Sequence, residues 1–140
     1  MPRLTAIIIA KNEAANIGDC LDSVAFADEK IVVDSQSEDA TAQIATQKGA
    51  SVVQRAFDGF GPQKNFALSL AQGDWVLSVD ADERVSAELA AAIVNAIGNS
   101  SADGYELSRL SSFCGRQMRH SGWYPDYVLR LFRRGKARFT

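Results

Sequence analysis

Histidine occurs once and cysteine twice in this chain of 140 residues. Cys20 and Cys114 stand far apart with no CxxC pair, and His120 has no second histidine to join it. That excludes a recognisable zinc site, and two thiols suit a reducing compartment. Long apolar runs are missing as well. The run "AIIIA" (6–10) falls far short of the roughly 20 residues a bilayer-spanning helix needs. No small-residue cleavage site follows "MPRLTAIIIAKNE", so this run reads as a first strand and not as a signal peptide. Internal repeats, low-complexity tracts and linkers are also absent, which leaves one domain of ordinary size.

What is present is an uneven distribution of charge. The net charge is −2, yet residues 115–140 hold seven basic residues against one acid, Asp126. The remaining residues therefore carry the excess of negative charge. A basic end of this kind suits a phosphate-bearing partner or an anionic membrane surface; a solvated basic edge strand is the alternative. Nucleic acid is set aside as a partner, because the basic end places an acid beside an aromatic pair and the rest of the chain is acidic.

Hydrophobic patterning alternates between two periods. "LTAIIIA" (4–10), "KIVVD" (30–34), "ASVVQR" (50–55) and "DWVLSVD" (74–80) are short apolar runs typical of strands buried on both faces. Between them lie helical patterns: 12–24 opened by Asn12, 37–49 with acids in its first turn and a Lys48-Gly49 stop, and, within 58–73, a Gly-rich loop followed by a helix with Pro62 near its start and Gly73 at its end. A fourth helical pattern starts at Ser86. Strand and helix alternate four times, so the fold class is α/β, a mostly parallel sheet with helices on both faces. Past residue 103 the pattern changes to strand or hairpin pieces without intervening helices. The chain stops within such a piece at Thr140, so a truncated sheet is expected, and its open edge favours self-association into a homo-oligomer. The expected division is 1–102 as a nucleotide-sugar-binding half and 103–140 as the start of an acceptor-side region.

Ligands of parallel α/β sheets sit beyond the carboxyl ends of the strands. Three of those ends are polar: Lys11, Asn12 and Glu13 after the first strand, Asp34 and Ser35 after the second, Asp80 and Asp82 after the fourth. A single aspartate after a strand is commonly a helix cap, but three such sets point to one crevice. In Asp80-Ala81-Asp82 a small middle residue directs two carboxylates toward one point. Such oxygen donors suit Mg²⁺ or Mn²⁺, hard cations that keep several waters and bridge to substrate phosphates. Glu83 reads as a helix-start residue.

Four ordered segments carry a family likeness: "AIIIAKNEAANIGDCLDSV", "IVVDSQSEDATAQIA", "GFGPQKNFALSLAQGDWVLSVDADERVS" and "GWYPDYVLRLFRR". Together they resemble the family 2 glycosyltransferases of the GT-A fold, and within that family the bacterial lipopolysaccharide-core transferases that add glucose to inner-core heptose. The resemblance implies an inverting transfer of a hexose from a nucleoside-diphosphate sugar, UDP-glucose or similar, to a saccharide or lipid-linked saccharide acceptor. It also implies a cytoplasmic protein, peripheral at the cytoplasmic face of the inner membrane.

Carried over residue by residue, the resemblance gives Lys11, Asn12 and Glu13 the nucleotide pocket and Asp34 the base, with Ser35 where the family often has a second aspartate. Lys64 and Asn65 would stand near the diphosphate; a solvated first helical turn is the alternative. Asp80 would touch ribose and Asp82 would ligate the metal. Asp126 occupies the position of the family's acceptor-side aspartate and would act as base, or else serve as a turn residue after Pro125. Trp123 and Tyr124 suit a sugar-stacking platform or core packing. Arg130, Arg133 and Arg134 suit phosphates of the acceptor or of the leaving group. A catalytically incomplete nucleotide-sugar-binding chain is the second expectation. Another Mg²⁺-dependent α/β enzyme is the third, disfavoured because no Gly-rich basic loop follows the first strand and the Asp-x-Asp lies after the fourth.

Overall fold

The computed structural model describes residues 3–99, 104–107, 116–117 and 128–135. In chain order these form β1 (Leu4–Ala10), α1 (Ile17–Ser23), β2 (Glu29–Asp34), α2 (Thr41–Gln47), β3 (Ser51–Gln54), α3 (Phe60–Leu70), β4 (Trp75–Asp80), α4 (Ala87–Asn99), β5 (Gly104–Leu107), β6 (Arg116–Gln117) and β7 (Val128–Arg133). One sheet has the strand order β3-β2-β1-β4-β7-β5-β6. The first four strands in that order run parallel. β7 then adds antiparallel to β4, and β5 and β6 continue antiparallel beyond it.

Alternation along the strands sorts the core into two layers, because successive side chains of a strand point to opposite faces. Ile8, Val32, Leu77 and Val79 face one way and pack with Leu21 of α1, Ala45 of α2, and Leu89 and Ile93 of α4. Ile7, Ile31, Val33 and Val76 face the other way and pack with Ala67 of α3 and with Phe132 of β7. The sheet is thus covered on both sides, as the continuous apolar runs require.

Local chemistry shifts several element boundaries from those expected. Asn12 does not open α1: its φ is +52°, in the left-handed region that asparagine tolerates, and the helix begins five positions later at Ile17. Glu38 and Asp39 precede α2 instead of occupying its first turn. Gly49 does stop that helix. Its φ is +87°, and the bonds Gly49 N–H to Thr46 O (3.0 Å) and Ala50 N–H to Ala45 O (3.1 Å) form a Schellman closure. α3 ends at Leu70, short of Gly73. Ser86 caps α4 as its sequence suggests, accepting the Leu89 N–H at 3.1 Å. Glu83, expected at a helix start, lies outside α4 and belongs to the turn after β4.

Candidate active-site cleft

The parallel register brings the strand ends level. Ala10 pairs with Asp34 at the ends of β1 and β2, and Ile9 pairs with Asp80 at the end of β4. Chain leaving these strands walls a cleft of about 460 Å³. Lys11 and Glu13 line it from the β1 loop, Ser35 from the β2 end, Phe57, Phe60 and Lys64 from the start of α3 and the loop before it, and Asp80 and Asp82 from β4.

The β4 side carries the acidic edge. Lys64 Nζ stands 3.9 Å from Asp80 Oδ1, with the lysine mostly covered and the aspartate half exposed. Asp82 is exposed on the cleft wall. Among the described residues no hydrogen bond or ion pair engages its carboxylate. The turn that presents them is tightly held. The Asp80 N–H donates to Glu83 Oε1 at 2.8 Å, the Glu83 N–H donates to Asp80 O at 2.9 Å, and the Val85 N–H donates to Ser23 Oγ at 3.0 Å. Cys20 lies beneath this turn, its Sγ 3.5 Å from Asp80 O. Burial first, then the nearby Glu83 carboxylate, pushes the Cys20 thiol up to about 12, so it stays neutral.

The opposite side is built from loops tied to one another. Asn12 does not line the cleft. Its N–H donates to Ser37 Oγ at 2.8 Å and its Oδ1 accepts the Glu38 N–H at 2.8 Å, which latches the β1 loop to the β2 loop. The Glu13 N–H donates to Thr41 Oγ1 at 2.9 Å, so the same latch aims Glu13 at the cleft. The Thr41 hydroxyl also donates to Asp39 Oδ1, and this bond above all holds the Asp39 carboxyl below its ordinary range.

Asp34 is fully buried. It accepts from the Ser37 hydroxyl, from the Ser37 N–H at 3.2 Å and from Gln54 Nε2 at 2.7 Å. Its carboxylate therefore frames the β2 loop and does not form part of the cleft wall, which Ser35 supplies instead. Asn65 is half-buried on α3 and is likewise absent from the wall.

The basic end divides. The Arg133 guanidinium lies 4.8 Å from the centre of the Trp75 ring, and Arg134 Nε donates to Gly73 O at 2.8 Å. Both clasp the start of β4, the end away from Asp80. Arg130 lies within β7. Trp123, Tyr124, Asp126 and His120 lie outside the described residues.

Sequence reasoning missed two groups. Gln63 is completely buried; it accepts from Arg55 Nη1 at 2.6 Å and donates to Ser35 Oγ at 3.0 Å, linking α3 to the cleft wall. Phe57 and Phe60 form the cleft's aromatic side, and the available signal was two phenylalanines three apart beside glycines in "FDGFG". Among the described residues no three His, Cys, Asp or Glu side chains cluster as metal ligands. Two carboxylates, one of them unengaged, nevertheless fit a hard cation that takes its other oxygens from water and phosphate.

The model of the family described as "Glycosyl transferase family 2" matches residues 5–138. An uncharacterized glycosyltransferase of Rickettsia felis is 50% identical over 90 residues, covering 64% of this chain and 32% of that protein. The lipopolysaccharide core biosynthesis glycosyltransferase LpsC of Rhizobium meliloti is 32% identical over 147 residues, covering 97% of this chain and 53% of its own length. Among solved structures, the mannosyltransferase PcManGT of Pyrobaculum calidifontis, in complex with GDP-Man and Mn²⁺, superposes with a TM-score of 0.64 at 28% identity, covering 76% of this chain and 35% of that one. The chain thus spans about a third to a half of the curated relatives it matches.

Proposed function

The chain belongs to glycosyl transferase family 2, and from that premise we propose that its cleft binds a nucleoside-diphosphate hexose, UDP-glucose or similar, for inverting transfer to a saccharide acceptor. The observation that carries this reading is the convergence of Lys64, Asp80 and Asp82 on one cleft at the carboxyl edge of a parallel sheet. The likeness to LpsC favours a lipopolysaccharide-core acceptor, and a site at the cytoplasmic face of the membrane follows from that substrate. No described helix is long and apolar enough to cross a membrane.

In this proposal Asp82 would ligate the metal and Asp80 would touch the ribose of the donor. The complex of the Pyrobaculum mannosyltransferase with GDP-Man and Mn²⁺ supports a divalent ion. A bound Mg²⁺ or Mn²⁺ supplies positive charge against the charge that builds on the departing diphosphate. Lys64 adds a further cation on the cleft wall, and Lys11 and Glu13 face the nucleoside.

Transfer is a single in-line displacement. The acceptor hydroxyl oxygen bonds to the anomeric carbon as the bond from that carbon to the diphosphate oxygen breaks, and configuration inverts. The hydroxyl proton passes to a carboxylate, assigned on sequence grounds to Asp126. Trp123, Tyr124 and Arg130 fall to the acceptor side on the same grounds.

Calorimetric titration of UDP and UDP-glucose, with Mn²⁺ and with chelator, tests the donor half. Binding that requires Mn²⁺ and is lost in Asp82→Ala is expected. Equal binding with and without metal would refute the assignment of the carboxylates. Binding without transfer to a heptose-containing core acceptor would favour a nucleotide-sugar-binding role over catalysis.

A further inference from the structure

The large apolar side chains exposed among the described residues are Phe57, Phe60 and Val94. Two of the three meet at one place. Phe57 and Phe60 are 48% and 71% exposed, their ring centres are 5.1 Å apart at an interplanar angle of 74°, and both line the cleft.

Their loop is held firmly although its tips face solvent. Arg55 pairs with Asp58 through Nη1 at 2.7 Å and Nη2 at 3.1 Å. The Arg55 N–H donates to Asp34 O at 3.0 Å, and its guanidinium lies 5.0 Å from the centre of the Phe66 ring. Buried Gln63 donates to Arg55 O at 3.1 Å as well as to Ser35. The loop is therefore anchored to the β2 end and to α3 while two rings stand in water. Such exposure forgoes the gain from burying aromatic surface, and a ligand face restores it.

Position identifies the ligand group. Along the sheet the carboxylates stand at β4, whereas the aromatic loop follows β3 at the other side of β2 and β1. Phe60 and Lys64 are four apart on α3 and both line the cleft, so ring and ammonium share one helix face about a turn apart. A diphosphate held near Lys64, Asp80 and Asp82 then points its nucleoside toward the rings. The β1 loop, "AKNEAAN", offers no aromatic of its own.

We propose that Phe57 and Phe60 form an aromatic corner for the nucleobase of the donor, in which the base stacks on the face of one ring and meets the other at its edge, with Arg55 and Gln63 as positioning residues that hold the loop. The inference rests on the nucleotide-sugar reading above. Stacking tolerates any base, so these rings supply affinity and leave the choice of base to polar groups nearby.

The test titrates UDP, GDP, CDP and ADP with Mg²⁺ into the whole chain and carries the tightest forward to variants. The double variant Phe57→Ala/Phe60→Ala is expected to weaken that ligand about tenfold or more. Phe57→Tyr/Phe60→Tyr, which keeps both faces, is expected to stay near wild type. Because both rings are exposed, neither variant removes core. Affinity of the alanine variant within twofold of wild type overturns the aromatic corner while leaving the nucleotide site standing. So does a tyrosine variant as weak as the alanine one. If no nucleoside diphosphate binds the wild type, the underlying reading fails and this inference fails with it.

Discussion

Glu83 and Asp80 hold each other across the turn after β4: the Asp80 N–H donates to Glu83 Oε1 at 2.8 Å and the Glu83 N–H to the Asp80 carbonyl at 2.9 Å. This double link sets the direction in which Asp80 and Asp82 face the cleft. Glu83→Ala leaves the Asp80 N–H without that acceptor and is expected to destabilise the chain by about 1–3 kcal/mol. Glu83→Gln keeps an acceptor and should lose less. Urea denaturation of the two variants checks the ordering, and equal losses would show that the carbonyl oxygen is not what matters.

Cys20 should be inert in the folded chain. With its thiol pushed up to about 12 by burial, almost no thiolate forms at pH 8. On a Cys114→Ser chain, a disulfide reagent should label Cys20 only at the rate of unfolding. Rapid labelling under native conditions would contradict the buried placement.

The same shift fixes an alkaline trend. An unfolded thiol titrates near 9.0 while the folded one holds its proton to about 12, so above 9.0 the native state binds more protons than the unfolded state. Its contribution is complete below that pH and is lost as pH rises toward 12. Melting curves across this window should fall more steeply for the Cys114→Ser chain than for Cys20→Ala on that background.

Asp39 works in the acid direction. Its lowered pKa, caused chiefly by the Thr41 hydroxyl, means that its contribution is present above the unfolded value and lost as pH falls through the folded one. Thr41→Val removes that hydroxyl, so the Asp39 titration followed by carboxyl NMR should move up toward the ordinary range. An unchanged titration would exclude Thr41 as the cause.

Gly73 is fixed by space. A Cβ there would meet Thr5 Oγ1 at 2.7 Å, and Arg3 O and Thr5 N at 2.9 Å each. Two of these three are backbone atoms, which yield little. Gly73→Ala should therefore cost about 1–3 kcal/mol, read as a lower denaturation midpoint with unchanged nucleotide affinity.

The parts legible in the sequence were those where one physical signal acts alone. Continuous apolar runs identified β1, β2 and β4, and the polar residues at their ends marked the cleft, because parallel topology puts those ends together. Asn12 was misread because its residue type suits both a helix cap and a left-handed turn, and only the partner loop at Ser37 and Glu38 selects the turn. Asp34 sits at the expected strand end, yet Ser37 and Gln54 draw its carboxylate inward, a choice that depends on a strand seventeen or more residues away. Arg133 and Arg134 carry the right charge for phosphate, but the antiparallel return of β7 sets them at the start of β4, away from Asp80, a placement that depends on a strand pairing the local sequence does not reveal. Phe57 and Phe60 escaped notice because apolar residues signal a core until their exposure is known.

The pairing of β7 with β4 joins Trp75 to Arg133 and Leu77 to Leu131. During synthesis the four parallel strands emerge first, while β4 waits with one edge unsatisfied for more than fifty residues of further chain. Until residues 128–133 leave the ribosome, that hydrophobic edge is open to pairing with other nascent chains. Delivery of β7 is therefore a timing step in the chain's biogenesis, and slowed elongation between residues 100 and 128 would lengthen the interval in which β4 is vulnerable.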